Sequence, residues 1–202
     1  MQFKYLKHDI YRYFYPNDET SEISLAHKLR IIMTTQGIWA IAVYRVRRWS
    51  HYECQYPFIR KMINPIAFLI NMVVEIATGI HIEPEIDIGP GLYIGHYGNI
   101  FLGGSTRIGK FANISHEVTV GYAGRGNAWG LPVIGDHVFL APGAKVIGKI
   151  VIGNNVAIGT NSVVTKSLPD NAVAVGVPAK IINFNSSKDF VLYNHKKNID
   201  IL

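Results

Sequence analysis

The sequence predicts a mainly β protein: a parallel β-helix of about four or five coils behind a short helical region. Three observations carry this. Aliphatic residues recur every six positions from Ile82 onward, with two interruptions, and the residue after most of them is glycine or another small one. Ahead of Ile80 that period is absent, and apolar residues fall at helical spacing instead. A six-residue period is neither an α-helix nor an alternating strand. It suits a prism-shaped coil of three hexads, with the aliphatic inward and the small residue at the corner.

Residues 1–78 form the helical region. They are rich in Tyr, Arg, Lys and long aliphatics and poor in glycine. In SLAHKLRIIMTTQGIWAIAVYRVRRWS, Ser24 is the expected N-cap and Gly37 a division between two helices. NPIAFLINMVVEIATGI follows, opened by Pro65 at a first-turn position and closed by Gly79. Asn71 and Glu75 interrupt its apolar run, which is too short to span a bilayer comfortably. The expectation is helices packed on each other or on a partner subunit. The alternative rests the basic face around Arg45, Arg47 and Arg48 on a membrane surface as a peripheral contact.

The solenoid is expected over 79–182, with a C-terminal tail over 183–202. Its inward series runs Ile82, Ile88, Ile94, Ile100, then Ile108, Ile114, Val120, then Ile134, Leu140, Val146, Ile152, Ile158, Val164. Between Ile100 and Ile108 two extra residues intervene. Between Val120 and Ile134 the loop GYAGRGNAWGLP is expected to replace one hexad and bulge outward. Ile94 and Ile114 then stack in adjacent coils, so His96 stacks on His116 about 4.8 Å away. If Ile134 lies one coil further, Asp136 completes that column.

Composition narrows the function classes. The chain has 202 residues, 49% hydrophobic and 17% charged, which excludes disorder. Its single cysteine, Cys54, excludes an internal disulfide framework and suits a reducing cytoplasm. MQFKYLKHDIYRYFYPND carries no apolar stretch of a secretory signal. The net charge of +6 would suit an anionic partner, but no nucleic-acid motif accompanies it.

GLYIGHYGNIFLGGSTRIG, ISHEVTVG, APGAKVIGKIVIGNNVAIGTNSVV and AVGVPAKII resemble the serine acetyltransferase branch of the hexapeptide-repeat acyltransferases. They are at least as similar to its relatives that O-acetylate capsule and O-antigen sugars. The resemblance implies a left-handed β-helix, a homotrimer, and acetyl-CoA as donor with no metal. It puts His96 on the catalytic histidine. Cofactor contacts fall on Gly121, Ala141, Gly159, Thr160, Lys166 and Lys180.

The chemistry agrees with that assignment. A thioester is already activated, so the reaction needs a base for the acceptor hydroxyl and donors for an oxyanion, not an enzyme nucleophile. His116, Glu117 and Glu83 are the candidates to assist or orient His96. The chain departs from the serine enzymes at several places. Their orienting aspartate falls on His81, the acidic residue before their histidine on Gly95, and their Arg-His pair on Gly130 and Leu131. Losing charged readers of a zwitterion points away from serine, since each such hydrogen bond contributes about 1.5–3 kcal/mol. Tyr93, Tyr97, Asn99, Tyr122, Asn127 and Trp129 suit a neutral sugar. The expectation is therefore O-acetylation of a surface polysaccharide or its precursor, with serine O-acetylation as the alternative. The zinc carbonic anhydrases that share this solenoid need two histidines five residues apart, and the residue five beyond His116 is Gly121. Sugar-nucleotide pyrophosphorylases are excluded, because 1–78 lacks the length and glycine-rich loop of a nucleotide-binding domain. A catalytically silent scaffold is the remaining rival, and failure to bind CoA would mark it.

Overall fold

A computed structural model describes residues 1–15 and 23–191. Four helices precede the solenoid: α1 (Gln2–Phe14), α2 (Leu25–Thr34), α3 (Gln36–Tyr52) and α4 (Pro57–Thr78). The Ser24 side chain accepts the His27 N–H at 3.3 Å and caps α2 as expected. The division before α3 falls at Thr35, and Gly37 lies in the first turn of α3. Its missing Cβ lets α3 settle on the solenoid, because a Cβ there would stand 2.5 Å from the Ile94 carbonyl oxygen. The expected start at Pro65 is corrected. Pro57 takes the first-turn position, and Pro65 lies inside α4 on an exposed side, where the carbonyl it leaves without a donor is open to hydration. Gly79 ends α4 in the left-handed region at φ 64° and donates its N–H to Glu75.

The β-helix has about five turns and three parallel sheets. The first sheet stacks β1 (Ile80–Ile82), β4 (Ile100–Leu102), β7 (Thr119–Gly121), β10 (Lys145–Ile147) and β13 (Val163–Val164). The second stacks β2 (Asp87–Ile88), β5 (Arg107–Ile108), β8 (Val133–Ile134) and β11 (Val151–Ile152). The third stacks β3 (Tyr93–Ile94), β6 (Asn113–Ile114), β9 (Phe139–Leu140), β12 (Ala157–Ile158) and β14 (Val173–Val175). β15 (Lys180–Asn183) pairs antiparallel with β14 at the edge. The inward aliphatics are fully buried from Ile82 to Val164. Truncating one, as in Ile108→Ala, would cost about 2–5 kcal/mol.

The register confirms one expected stacking and corrects the other. Ile94 pairs with Ile114 as the period predicts. Ile134, however, pairs with Ile108, and Ile114 pairs with Leu140. The loop after Val120 therefore replaces no hexad; it is an insertion at the corner between the first and second sheets. Asp136 accordingly leaves the histidine column, and its Oδ1 accepts the Lys110 N–H at 2.9 Å on another corner. The two-residue insertion also moves. Leu102 pairs with both Ile82 and Val120, so the extra residues lie between Ile94 and Leu102, at the corner that carries His96.

The helical region closes the open edge of the first coil, whose backbone groups would otherwise be unpaired. Buried Arg45 donates to the Ile88 and Gly89 carbonyls, each at 2.7 Å, and pairs with buried Asp9 at 2.8 Å. Asp9 in turn accepts the Leu92 N–H. The Tyr44 hydroxyl donates to Ile86 and accepts from Ile88; that of Tyr13 does both with Ile94. Arg12 donates to the Gly91 carbonyl at 2.7 Å. The basic face expected around Arg45, Arg47 and Arg48 is thus largely internal. Arg45 is buried, and Arg48 binds Asp87 and the Pro84 and Glu85 carbonyls. Of the expected tail, residues up to Val191 lie over the third sheet, where Phe190 stacks on Phe139; 192–202 lie outside the described residues.

Candidate active site

The corner between the third and first sheets brings the two histidines together. His96 stands two places after Ile94 in one coil and His116 two places after Ile114 in the next. Their rings meet edge to face, with centroids 5.9 Å apart and planes at 77°. The insertion beside it carries His96 and Tyr97 outward, and both are exposed. His116 is half-buried, and its Nδ1 is a buried atom with no hydrogen-bond partner among the described residues. A buried polar atom without a partner costs about 1–3 kcal/mol.

The same corner continues through later coils. Its inner column reads Gly95, Ser115, Ala141, Gly159, and each backbone N–H is used by the carbonyl of the coil above. Its outer column reads His96, His116, Pro142, Thr160. Among the described residues, the backbone N–H groups of His96, His116 and Thr160 donate to no protein acceptor. Three of the expected cofactor residues, Ala141, Gly159 and Thr160, therefore line the histidine corner. The small side chains leave a track on which an extended ligand can lie, with open amides beside it.

Three of the other expected residues sit elsewhere. Gly121, Glu83 and Lys166 lie at the opposite end of the first sheet, on the corner that extrudes the loop. Lys180 begins β15, is exposed, and pairs with Val175, which follows Gly159 in the column of the histidine corner. Glu83 faces away from His96: it accepts the Gly104 N–H at 2.6 Å and lies 3.7 Å from His81. His81, on the family's aspartate position, is held by Glu75 at 2.8 Å and stacks on Phe101. Glu117 follows His116 on the same corner, exposed, with φ of 60°; its carbonyl accepts from Lys145. Equivalent turns hold Asn99, Gly143 and Asn161, residues that take this left-handed backbone more easily.

The expected aromatic platform divides. Tyr93 lies beneath α1, with its ring 4.6 Å from Tyr13 and under the Arg12 guanidinium, so it is a packing residue. Asn99 takes the left-handed turn position at φ 53°. Tyr122 and Trp129 stack on each other at 5.4 Å across the extruded loop, which a 3₁₀ turn at Gly126–Ala128 carrying Asn127 closes. Leu131 and Tyr122 pack over Gly104, where a Cβ would clash. Arg125, passed over in the sequence, is exposed on this loop.

Comparison with known proteins agrees with this architecture. The family model described as bacterial transferase hexapeptide (six repeats) matches residues 132–166. A serine acetyltransferase from Staphylococcus xylosus is 35% identical over 168 residues, 83% of this chain and 74% of that protein. The structure of the Brucella abortus serine acetyltransferase in complex with coenzyme A superposes with a TM-score of 0.71. It is 26% identical and covers 91% of this chain and 68% of that one. That of the Neisseria gonorrhoeae serine acetyltransferase in complex with serine has a TM-score of 0.70 and 26% identity, over 90% and 69%. These relatives correct the expected polysaccharide acceptor. The missing charged readers pointed away from serine, yet the relatives that match in sequence and structure are serine acetyltransferases. The repeats, the paired histidines on a solenoid corner and these likenesses converge: the chain is an O-acetyltransferase and belongs to the serine acetyltransferase family of hexapeptide-repeat acyltransferases.

Proposed function

We propose that the chain transfers the acetyl group of acetyl-CoA to the hydroxyl of L-serine, with His96 as general base. The observation that carries this reading is the pairing of exposed His96 with half-buried His116 on a corner of small residues and open amides, in a chain similar to serine acetyltransferases. Acetyl-CoA brings an activated thioester. His96 takes the serine hydroxyl proton as that oxygen attacks the acetyl carbon. The open N–H groups of the outer column are available to the developing oxyanion. The C–S bond then breaks, and the imidazolium returns its proton to the leaving sulfur, giving O-acetylserine and CoA. Along the track Gly95, Ser115, Ala141 and Gly159 leave room for the pantetheine arm, and exposed Lys180, paired with Val175 at the end of that track, suits its phosphates.

One chain holds only half of such a site. The histidine corner and the loop corner are separated by the strand from His116 to Gly121, on the order of 15 Å. A homotrimer, which the family implies, sets the loop corner of one copy against the histidine corner of the next. The loop then brings Arg125 to the serine carboxylate, while Glu117 beside His116 takes the ammonium. These two replace the charged readers absent at Gly130 and Leu131. The reaction belongs in the cytoplasm, where both co-substrates are soluble.

The test is thiol release from acetyl-CoA with L-serine, by wild type and His96→Ala. Serine-dependent release that falls about 10²–10⁴-fold in the variant is expected. Wild type that binds acetyl-CoA but ignores serine would overturn the acceptor, and a variant with full activity would overturn the base.

A further inference from the structure

The strand that leads to His96 lies at an edge. β3 is the last strand of the third sheet, paired on one side by β6, and an edge strand leaves peptide groups without a ladder partner. The Tyr13 hydroxyl takes that place. It accepts the Ile94 N–H at 2.9 Å and donates to the Ile94 carbonyl at 3.0 Å. One oxygen thus satisfies both peptide groups of the residue two places before His96. Burial raises the pKa of this hydroxyl well above that of free tyrosine, so it stays protonated and keeps both bonds. The ring supports the same corner. It lies 4.6 Å from the ring of Tyr93, whose edge sits beneath Gly95, where a Cβ would stand 3.2 Å from it. Gly37 of α3 closes over the hydroxyl, which a Cβ there would meet at 2.9 Å.

We infer that Tyr13 is a positioning residue for His96, and that with Arg12 it sets the register of the two coils that carry the histidine pair. Arg12 supplies the second half of the grip. It donates to the Gly91 carbonyl at 2.7 Å, ahead of β3, and to the Ala112 carbonyl at 3.3 Å and Asn113 Oδ1 at 2.6 Å, ahead of His116. The last turn of α1 therefore holds both coils just before their histidines. The strand needs this hold. The Tyr93 N–H reaches the Ala112 carbonyl at 2.9 Å, but the Gly95 N–H reaches the Ile114 carbonyl only at 3.3 Å. Exposed His96 is separated from Ile94 by Gly95 alone, so a shift of Ile94 passes to the base. A misplacement of about 1 Å can cost on the order of 10²-fold in rate. Tyr44 provides the contrast. Its hydroxyl makes the same pair of bonds, to the Ile86 carbonyl and the Ile88 N–H, but around β2 instead of the strand that leads to the histidine corner.

The role of His96 as base rests on the function proposed above, so the test also reads the histidine directly. Thiol release from acetyl-CoA with L-serine would compare wild type, Tyr13→Phe and Tyr44→Phe, with the imidazole NMR signals of His96 recorded on the same samples. Both variants lose one oxygen and should lower the urea midpoint. Tyr13→Phe should lower kcat about 10–100-fold, leave KM for both substrates within about twofold, and shift the His96 signals. Tyr44→Phe should keep the wild-type kcat and His96 signals. A folded Tyr13→Phe with wild-type kcat would overturn the inference, and so would an equal loss of kcat in the two variants. If wild type releases no thiol with serine, the acceptor is wrong, and the His96 signals alone decide: unmoved in Tyr13→Phe, they overturn the inference. If Tyr13→Phe does not fold, hydrogen exchange in wild type decides instead. The amides of Ile94 and Gly95, corrected for their intrinsic rates, should exchange together as one unit. Exchange about tenfold faster at Ile94 would show that α1 leaves without disturbing the strand, and would overturn it equally.

Discussion

His96 and His116 meet edge to face at 5.9 Å, yet no hydrogen bond joins them, and the buried Nδ1 of His116 has no partner among the described residues. An orphan nitrogen beside an exposed base is a cost to the fold that a bound acceptor can remove. His116→Phe keeps the ring and deletes the orphan. Its melting temperature should equal or exceed that of wild type, with a gain of up to about 1 kcal/mol. Activity should fall by roughly 10–100-fold, the worth of a charged hydrogen bond of about 1.5–3 kcal/mol. A variant that is both stable and fully active would reduce His116 to packing.

Arg125 is the test of how a zwitterion is read without the family's usual pair. It lies exposed on the extruded loop, away from the histidines of its own chain. Arg125→Ala should raise KM for serine about tenfold or more, for one lost charged contact. KM for acetyl-CoA should not move. Equal changes in both constants would mean that the loop had been disturbed as a whole.

Much of this architecture can be read from the residues alone because an inward aliphatic recurs in each hexad from Ile82 to Val164, across two insertions. Periodicity cannot say how a gap is filled. A step of fourteen from Val120 to Ile134 can replace a hexad or insert eight extra residues, and only the pairing of Ile108 with Ile134 decides. Long-range burial is equally hidden. Tyr93 reads as a platform for a sugar until Arg12 and Tyr13, some eighty residues earlier, cover it. Arg45 reads as a surface cation, but the open carbonyls of the first coil draw it inside. At the site, His96 was legible because it breaks the small-residue rhythm. The acceptor was not, since absent residues at Gly130 and Leu131 do not disclose which others replace them.

The Asp9–Arg45 pair makes a prediction about the helical cap. Both side chains are fully buried, and the guanidinium also holds Gln2 and two carbonyls of the first coil. Asp9→Leu leaves the arginine charge buried without its counter-ion. Such a break costs about 3–5 kcal/mol. Urea unfolding monitored by circular dichroism should show the midpoint fall accordingly. A loss under 1 kcal/mol would mean that the carbonyls alone satisfy Arg45.

Tyr44 links the same cap to pH. Burial pushes its hydroxyl from 10.0 up to about 12, outweighing the nearby Arg45 and Arg48 guanidiniums that pull it down. The folded value lies above the unfolded one. The contribution of Tyr44 is therefore complete below pH 10 and is lost as pH rises toward 12, because only the unfolded chain ionises freely in between. Over that window each pH unit removes about 1.4 kcal/mol. Tyr13, also raised by burial, adds to the same limb. Tyr44→Phe should lose about 1–3 kcal/mol at pH 8, because the Ile86 carbonyl and Ile88 N–H lose their partner. Between pH 10 and 11 the difference from wild type should narrow, since phenylalanine has no proton to release. Urea midpoints at pH 8, 10 and 11 measure this. Parallel lines for the two proteins would show that the hydroxyl ionises as easily in the fold as outside it.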